Sequence, residues 1–212
     1  MEITWLGHSC FRLRSRETTV VTDPPSAEKG YSLPNLTATI VTVSHGHPGH
    51  NASALCGGSP RVIEGPGEYE VGGVLIAGVR TYHDDKHGQD RGPNTAFVIE
   101  LEELRLCHLG DLGHIPTAEQ REAMSDIDVL MIPVGGHSTI DGAGAAEVAS
   151  LLEPKIVIPM HYRTDLFAGE LEPLEPFLKQ MGVAELAPQP RLNVTPSGLP
   201  SQTQVVVLEL RR

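Results

Sequence analysis

The sequence predicts an α+β fold in which two β-sheets pack face to face and helices cover their outer surfaces. Short stretches rich in β-branched residues, separated by Gly and Pro, fill the first half of the chain, whereas strands alternate with helices in the second half. The chain has 212 residues, of which 40% are hydrophobic, so it is long enough to bury its own core. We therefore expect one domain, residues 1–212, built as a four-layer αββα sandwich.

The strands predicted in the first half are bounded by turn residues such as Gly65-Pro66-Gly67, and the last two form a hairpin that turns at Glu102-Glu103. A β-branched run that ends at Val43 is typical of a strand buried on both faces. The predicted strands are Glu2–Leu6, Cys10–Leu13, Thr18–Thr22, Thr39–Val43, Val62–Glu64, Tyr69–Val71, Val74–Arg80, Thr95–Leu101 and Leu104–Leu109.

In the second half, Thr117 is a plausible helix cap, and Pro154 follows the end of an Ala-rich helical segment. Residues 187–203 are rich in Pro, Ser and Gln and are expected to form a loop. The predicted elements are helices at Thr117–Met124, Asp141–Leu152 and Glu170–Gln180 and strands at Val129–Val134, Lys155–Met160 and Val205–Leu210. The last of these helices is expected to be interrupted near Pro173 and Pro176.

The formal net charge of -11 disfavours nucleic acid as a partner, because nucleic-acid binders usually present a basic face. Three widely spaced cysteines, Cys10, Cys56 and Cys107, fit a reducing cytosol. No apolar run approaches the roughly 20 residues of a membrane helix. We therefore expect a soluble, cytoplasmic protein that binds a small-molecule substrate, with no nucleic-acid or membrane partner; a homo-oligomer is left open.

The decisive segment, Ser44–Asn51, directly follows a predicted buried strand. In an extended stretch His45 and His47 project to the same side. Pro48 is acceptable in the first turn of a helix, which would place His50 one turn beyond His47. Three converging imidazoles can hold one metal ion or be divided between two. The alternative is three unrelated surface histidines in a Gly-rich loop.

These residues carry a resemblance to a known family. Ser44–His50 resembles the H-x-H-x-D-H signature of the metallo-β-lactamase superfamily. Five further segments look like its UlaG-like, Zn-dependent hydrolase branch and occur in the family's order: Thr4–Phe11, Thr22–Pro24, Leu109–Asp111, Pro133–Gly136 and Ile158–Tyr162. The resemblance implies an αββα sandwich with metal ions at the edge between the two sheets.

Carried over position by position, the resemblance implies a site for one or two zinc ions, with manganese or iron as alternatives. One set of ligands would hold the first ion: His45, His47 and His83. His50 and His161 would hold the second ion, and Asp111 would bridge both; Asp111 and His161 are also the expected catalytic residues. His83, Asp111 and His161 each follow a predicted strand, which suits a site built on loops over a rigid scaffold.

Other residues are candidates for supporting roles. His8 and Asp23 are expected to orient ligands through hydrogen bonds, with local turn chemistry as the alternative. His87 and His108 are rivals of His83, although His108 lies within a strand and is typical of a buried structural histidine. The candidates for the pocket wall are His114, His137 and Tyr162. Arg91 could pair with an anionic substrate, but the sequence favours a solvated loop charge at this position.

The chain departs from the family pattern at Gly49, where an aspartate ligand of the second metal is expected. Three outcomes are open: a nearby carboxylate (Asp84, Asp85 or Asp23) substitutes, the protein works with one tightly bound metal, or it retains binding without catalysis. Zinc accepts three protein ligands and an open water position, so a weaker second site is compatible with the sequence. On the sequence alone, Gly49→Asp is expected to raise second-metal affinity and turnover.

The function implied by the resemblance is metal-dependent hydrolysis of a small ester, lactone or phosphodiester through a metal-bound hydroxide. Such a metal lowers the pKa of water towards about 7. The alternative is a non-catalytic ligand- or metal-binding protein on the same fold, which Gly49 alone supports. A di-iron oxidoreductase is disfavoured, because His47 stands where such relatives carry a carboxylate.

Overall fold

The computed structural model describes residues 1–26, 30–31, 33, 36–167 and 170–211. A first sheet has the strand order β12-β1-β2-β3-β4-β5, and a second sheet has the order β13-β11-β10-β9-β8-β7-β6. The strands of the first sheet are β1 (Glu2–Gly7), β2 (Cys10–Arg14), β3 (Thr19–Thr22), β4 (Ile40–Val43), β5 (Arg61–Glu64) and β12 (Leu192–Asn193). Those of the second sheet are β6 (Gly67–Val71), β7 (Val74–Tyr82), β8 (Pro93–Leu101), β9 (Leu104–His108), β10 (Val129–Pro133), β11 (Ile156–Met160) and β13 (Gln204–Val205).

Large apolar side chains from both sheets form one buried cluster. Trp5 and Phe11 come from the first sheet, and Phe97 and Leu106 come from the second, each 2% exposed or less. Burial of such apolar area is the main favourable term in folding. The two sheets therefore pack face to face, as the sequence predicted, and they share one core.

Three α-helices lie on the second sheet or against one another. The first, α1 (Ala118–Ala123), has a complete capping box between Thr117 and Gln120. Asp141 caps α2 (Gly142–Leu152) by accepting a hydrogen bond from Gly144 N (2.8 Å). The third, α3, is Glu175–Gln180. The cap predicted at Thr117 is confirmed, and the predicted helix Asp141–Leu152 corresponds to α2 with Asp141 as its cap.

Two predicted elements are shorter in the structure than their predicted ranges. The segment Glu170–Gln180 is helical only from Glu175, which agrees with the interruption predicted near Pro173 and Pro176; Pro176, which has no backbone N–H, is accommodated in the first turn of the helix. The predicted strand Val205–Leu210 pairs only over Gln204–Val205, apart from an isolated bridge at Leu208. Residues 187–203, predicted as a loop, also contain the short strand β12, which pairs with β1.

The predicted helix after His47 is absent among the described residues 44–51, which form turns instead. His50 N donates to His47 O (2.9 Å), so a single hydrogen-bonded turn spans this segment. Gly46 and Gly49 explain the difference, because glycine is a poor helix former. The turn nevertheless keeps His50 beside His45, with ring centroids 4.3 Å apart.

Strand direction brings the ends of both sheets to one edge of the molecule. In the first sheet β1, β3 and β4 run in the same direction, and in the second sheet β7, β9, β10 and β11 do so. The segments that follow the carboxyl ends of these strands contain the histidines and aspartates singled out from the sequence. Within the described ranges, no helix combines the length and apolar character that crossing a membrane requires.

Candidate metal centre

Six predicted ligands lie together at this edge and line one cavity of about 430 Å³. We call them the histidine–aspartate centre: His45, His47, His50, His83, Asp111 and His161. Each belongs to a loop that leaves the carboxyl end of β4, β7, β9 or β11. Since these strands are hydrogen-bonded within the two sheets, their ends hold the loops in fixed relative positions.

The carboxylate of Asp111 occupies the middle of the centre. Its Oδ2 lies 3.1 Å from His83 Nε2, 3.2 Å from His50 Nε2 and 3.3 Å from His161 Nε2. His45 Nε2 is 3.9 Å from the same oxygen. Two ligand atoms at the usual 2.0–2.1 Å from a tetrahedral zinc are separated by about 3.3 Å. The spacing of these nitrogen and oxygen atoms is thus the spacing of ligands around a shared ion.

The electrostatics of the centre depend on burial and on mutual contacts. Burial raises the pKa of Asp111, but the adjacent His161 and His50 imidazoles outweigh this effect and hold it well below its usual value. Burial disfavours protonated His50, but Asp111 and Asp23 raise its pKa to about 10. Burial and the neighbouring His50 lower the pKa of His45 to about 4. The buried carboxylate therefore stays ionised, and the crowded imidazoles compete for positive charge around it.

Asp23 fixes the orientation of two of these imidazoles. It is fully buried; its Oδ2 accepts hydrogen bonds from His50 Nδ1 (2.9 Å) and Ser44 Oγ (2.5 Å), and its Oδ1 accepts from Ser44 N (2.8 Å). Because the Ser44 hydroxyl donates to Asp23, its oxygen accepts from His45 Nδ1 (2.9 Å). Both histidines thus keep a proton on Nδ1 and direct Nε2 towards the centre.

Asn94 holds the backbone of Asp111 in position through its side-chain amide. Its side-chain oxygen accepts from Asp111 N (3.0 Å), and its amide nitrogen donates to Leu109 O (2.9 Å) and to Thr81 Oγ1 (2.7 Å). Asn94 is 1% exposed. The loop after β9 is therefore tied to β8, which holds the Asp111 carboxylate in place.

Sequence reasoning missed Ser44 and Asn94. Ser44 directly precedes His45 at the end of a predicted strand, which was the available signal; its contact with Asp23 depends on the pairing of β3 and β4. Asn94 carried no such signal, because its partners Thr81, Leu109 and Asp111 come together only through strand pairing.

The ligand atoms fall into three overlapping groups whose members lie within 4.8 Å of one another. The groups are His45–His83–Asp111, His45–His47–His50 and His8–His50–His161. The predicted first set is thus divided, since His47 groups with His50 instead of His83. His47 is exposed, which makes it the least buried of the predicted ligands. Its Nδ1 accepts a hydrogen bond from Gly49 N (3.2 Å).

The rim of the cavity contains charged groups from several loops. Arg91 Nη1 donates to His137 O (2.7 Å), and His137 Nε2 is 2.9 Å from a carboxylate oxygen of Glu170. His137 therefore lines the cavity as expected, and Arg91, for which the sequence favoured a solvated loop charge, lines it as well, together with Ser138 and Phe167. The volume of this cavity lies within the range of small-molecule sites.

Four other candidates lie away from the cavity wall. His114 uses both ring nitrogens, accepting from Tyr82 N (3.2 Å) and bonding Ile115 O (2.9 Å). Tyr162 is buried and stacks on Trp5, with centroids 5.1 Å apart. These two expected wall residues are therefore not among the described residues that line it.

The two residues considered as alternatives to His83, namely His87 and His108, also lie away from the cavity. His87 is exposed and contacts Tyr82. His108 is fully buried, its Nε2 is 2.8 Å from Ser9 O, and its Nδ1 accepts from Gly110 N (3.3 Å). Neither residue lines the cavity, whereas His83 contacts Asp111.

None of the three carboxylates considered as substitutes takes the position of the missing aspartate. Both carboxylate oxygens of Asp23 already accept hydrogen bonds from Ser44 or His50. Asp84 accepts four backbone hydrogen bonds of its own loop, from residues 86, 88, 90 and 91. Although desolvation raises the pKa of Asp84, these donors lower it to about 2. Asp85 is exposed and does not line the cavity.

Comparison with known proteins shows which domain family and which proteins this chain resembles. Residues 2–161 match the model of the beta-lactamase superfamily domain. UPF0173 metal-dependent hydrolases of Thermoplasma acidophilum and Pyrobaculum islandicum are 29% and 31% identical, covering 89% and 77% of this chain and 96% and 85% of their own lengths. The crystal structure of a proposed Zn-dependent hydrolase of the metallo-beta-lactamase superfamily from Thermotoga maritima is 43% identical, with a TM-score of 0.82, over 98% of this chain and 97% of its own.

Proposed function

Because this chain belongs to the UPF0173 metal-dependent hydrolase family of the metallo-β-lactamase superfamily, we propose that it hydrolyses a small ester, lactone or phosphodiester at the histidine–aspartate centre. The observation that carries the proposal is the convergence of three imidazole nitrogens to within 3.1–3.3 Å of one buried oxygen, Asp111 Oδ2. Hydrolysis at such a centre needs a cavity that admits substrate, and the centre lines one.

The donor set fits zinc. His45 Nε2 is buried and makes no hydrogen bond to any described residue, although its Nδ1 is held by Ser44. A buried nitrogen without a partner is costly unless something else binds it. Imidazole and carboxylate ligands at these spacings are typical of zinc sites. In our assignment His45, His47 and His83 would hold one ion, with the exposed His47 turning from His50 towards His83, and His50 and His161 would hold a second; Asp111 would be shared by both.

A bound zinc would supply Lewis acidity, which activates water near neutral pH and polarises the substrate oxygen. The chain's own residues do the rest. Asp23 and Ser44 hold the Nε2 atoms of His50 and His45 towards the cavity, and Asp111 balances the positive charge. Arg91, anchored to the backbone of His137, places a cation at the rim, which supports an anionic substrate such as a phosphodiester.

The motifs Thr4–Phe11 and Ile158–Tyr162 support our further assignment of the chain to the UlaG-like branch. We also propose a cytoplasmic location, which the three free, buried cysteines support. The net charge of -11 supports a small-molecule substrate over a nucleic acid.

Zinc-loaded protein, tested with bis-p-nitrophenyl phosphate, p-nitrophenyl acetate and a simple lactone, is expected to hydrolyse at least one of them and to lose this activity on chelation. Asp111→Asn removes the central charge and should abolish turnover, whereas His87→Ala, outside the cavity, should leave it unchanged. Arg91→Ala should raise KM for the phosphodiester and not for the neutral ester. Metal-replete protein that turns over none of these substrates would support the binding-protein alternative.

A further inference from the structure

Gly49, which stands where the family carries a ligand, faces the side chain of His8. A Cβ added at Gly49 would lie 3.0 Å from His8 Nε2 and 3.3 Å from His8 Cδ2. Both distances are shorter than the roughly 3.5–4.0 Å of ordinary carbon contacts. The imidazole of His8 therefore fills the space into which a side chain at position 49 would project.

His8 also belongs to a buried group of three imidazoles. The ligand atoms of His8, His50 and His161 lie within 4.8 Å of one another. The ring of His8 is 4.2 Å from that of His161 and 4.9 Å from that of His50, measured between centroids. The three residues are 4%, 0% and 3% exposed. Three imidazoles this close together in the interior are costly unless a cation or hydrogen bonds satisfy their nitrogens.

The backbone fixes the spacing between His8 and His161. His8 O accepts hydrogen bonds from His161 N (3.1 Å) and from Trp5 Nε1 (3.0 Å). His8 has a left-handed conformation (φ 52°) in the two-residue turn between β1 and β2, and His161 has one at the end of β11 (φ 52°). Strained backbone of this kind persists where the surrounding structure over-determines it, often at functional sites.

We propose that His8 is a metal ligand that takes the place of the carboxylate missing at position 49. The second site of the centre then consists of His8, His50, His161 and the shared Asp111. This inference rests on the proposed metal-dependent function. It replaces the expectation that His8 only orients another ligand.

The exchange has a chemical consequence. Replacing an anionic carboxylate by a neutral imidazole raises the net charge of the second site by one. Imidazole ligands suit zinc, whereas carboxylates suit manganese and magnesium. The second site should therefore favour zinc over manganese more strongly than a site with aspartate at position 49.

Zinc titration of metal-free protein, followed by calorimetry and by competition with a chromophoric chelator, tests the proposal. Wild-type protein should bind two zinc ions per chain. His8→Ala should weaken the second ion by about 100-fold or more, because loss of a residue that merely orients a ligand already costs about 10–100-fold. The first ion should keep its affinity, and the matched histidine control His87→Ala should bind both ions as the wild type does.

The variants at position 49 provide the complementary test. Gly49→Asp alone should not strengthen the second site, because its Cβ would crowd His8 Nε2; this reverses the expectation from sequence. The double variant His8→Ala with Gly49→Asp should recover the second zinc ion and bind manganese better, relative to zinc, than the wild type does.

The outcomes separate the two proposals. A wild-type protein that binds no zinc, or that binds it without turnover, contradicts the proposed function. One that binds a single ion, or whose second affinity is unchanged in His8→Ala, overturns the role of His8 alone. If His8→Ala does not fold, anomalous diffraction from zinc-loaded wild-type crystals decides: a His8 nitrogen about 2.0–2.1 Å from zinc supports the proposal, and a ring turned away from the ion refutes it.

Discussion

Asparagine in place of Asp23 would test how the centre keeps its imidazoles oriented. The substitution preserves shape but turns one accepting oxygen into a donor. If the amide nitrogen of the new asparagine takes the place of Oδ1, it faces Ser44 N, and two donors then oppose each other. If it takes the place of Oδ2, it faces His50 Nδ1 and the Ser44 hydroxyl. In the second case His50 must accept through Nδ1, so its proton moves to Nε2 and blocks the lone pair that would bind metal.

The expected magnitude follows from the contacts. Losing a partner that orients one metal-binding histidine costs about 10–100-fold in metal affinity, or about 1.4–2.7 kcal/mol. Asp23 orients His50 directly and His45 through Ser44, so we expect Asp23→Asn to lie at the upper end, near 100-fold. The metal-free protein should also lose about 1–3 kcal/mol of unfolding free energy, because buried donors lose an ionised acceptor.

Competition with a zinc chelator measures the affinity, and urea unfolding of the metal-free protein measures the stability. Ser44→Ala is the matched control: it removes the link to His45 but leaves the bond between Asp23 and His50, so its effect should stay within about tenfold. If Asp23→Asn weakens zinc no more than Ser44→Ala does, Asp23 does not control the tautomer of His50, and the reasoning fails.

Three further predictions concern the loops around the centre. Asn94→Ala should lower the unfolding free energy by about 1–3 kcal/mol and weaken zinc binding, since the backbone of Asp111 loses its anchor; undiminished zinc affinity would argue against this. Gly135→Ala should lower the unfolding free energy by about 1–3 kcal/mol in urea unfolding, because the new Cβ would clash with the backbone oxygen of His161; a neutral effect would show that the loop yields freely. Asp84 has its pKa lowered to about 2, so its contribution to stability is present above about pH 4 and is lost as the pH falls towards 2. The difference in melting temperature between wild type and Asp84→Asn should therefore shrink between pH 5 and pH 3, and a constant difference would contradict it.

Local chemistry explains why much of the fold could be predicted from the sequence. Thr117 and Asp141 cap their helices through side-chain bonds to residues three positions later, so the signal and its effect lie in the same short segment. The run that ends at Val43 consists of β-branched residues and forms β4, which is buried throughout. Elements at the chain's end were less predictable: β12 exists because it pairs with β1, a contact that no local pattern encodes.

In the candidate site, too, residues marked by local sequence signals were predictable, and residues whose position depends on contacts between distant segments were not. His45 and His50 share one short motif, and the family resemblance singled out Asp111 and His161, each of which follows a predicted strand. The structure brings them together, and their individual roles as ligands stay predictions until metal is measured. His114 and Tyr162 could not be excluded beforehand, because whether a loop residue faces the cavity depends on its partners: His114 is held by the backbone of Tyr82, and Tyr162 packs on Trp5.

Position 49 shows most clearly what a position-by-position comparison leaves out. Compared with the motif alone, Gly49 is a lost ligand, and the natural inference is a weaker second site. In three dimensions, an absent side chain is also a vacated volume, and a close-packed interior fills such a volume with a neighbouring group. Here that group is an imidazole from the turn between β1 and β2, held against His161 by a backbone hydrogen bond. The glycine is then a condition for the alternative ligand rather than a defect, since any larger side chain at position 49 would push His8 away from the centre.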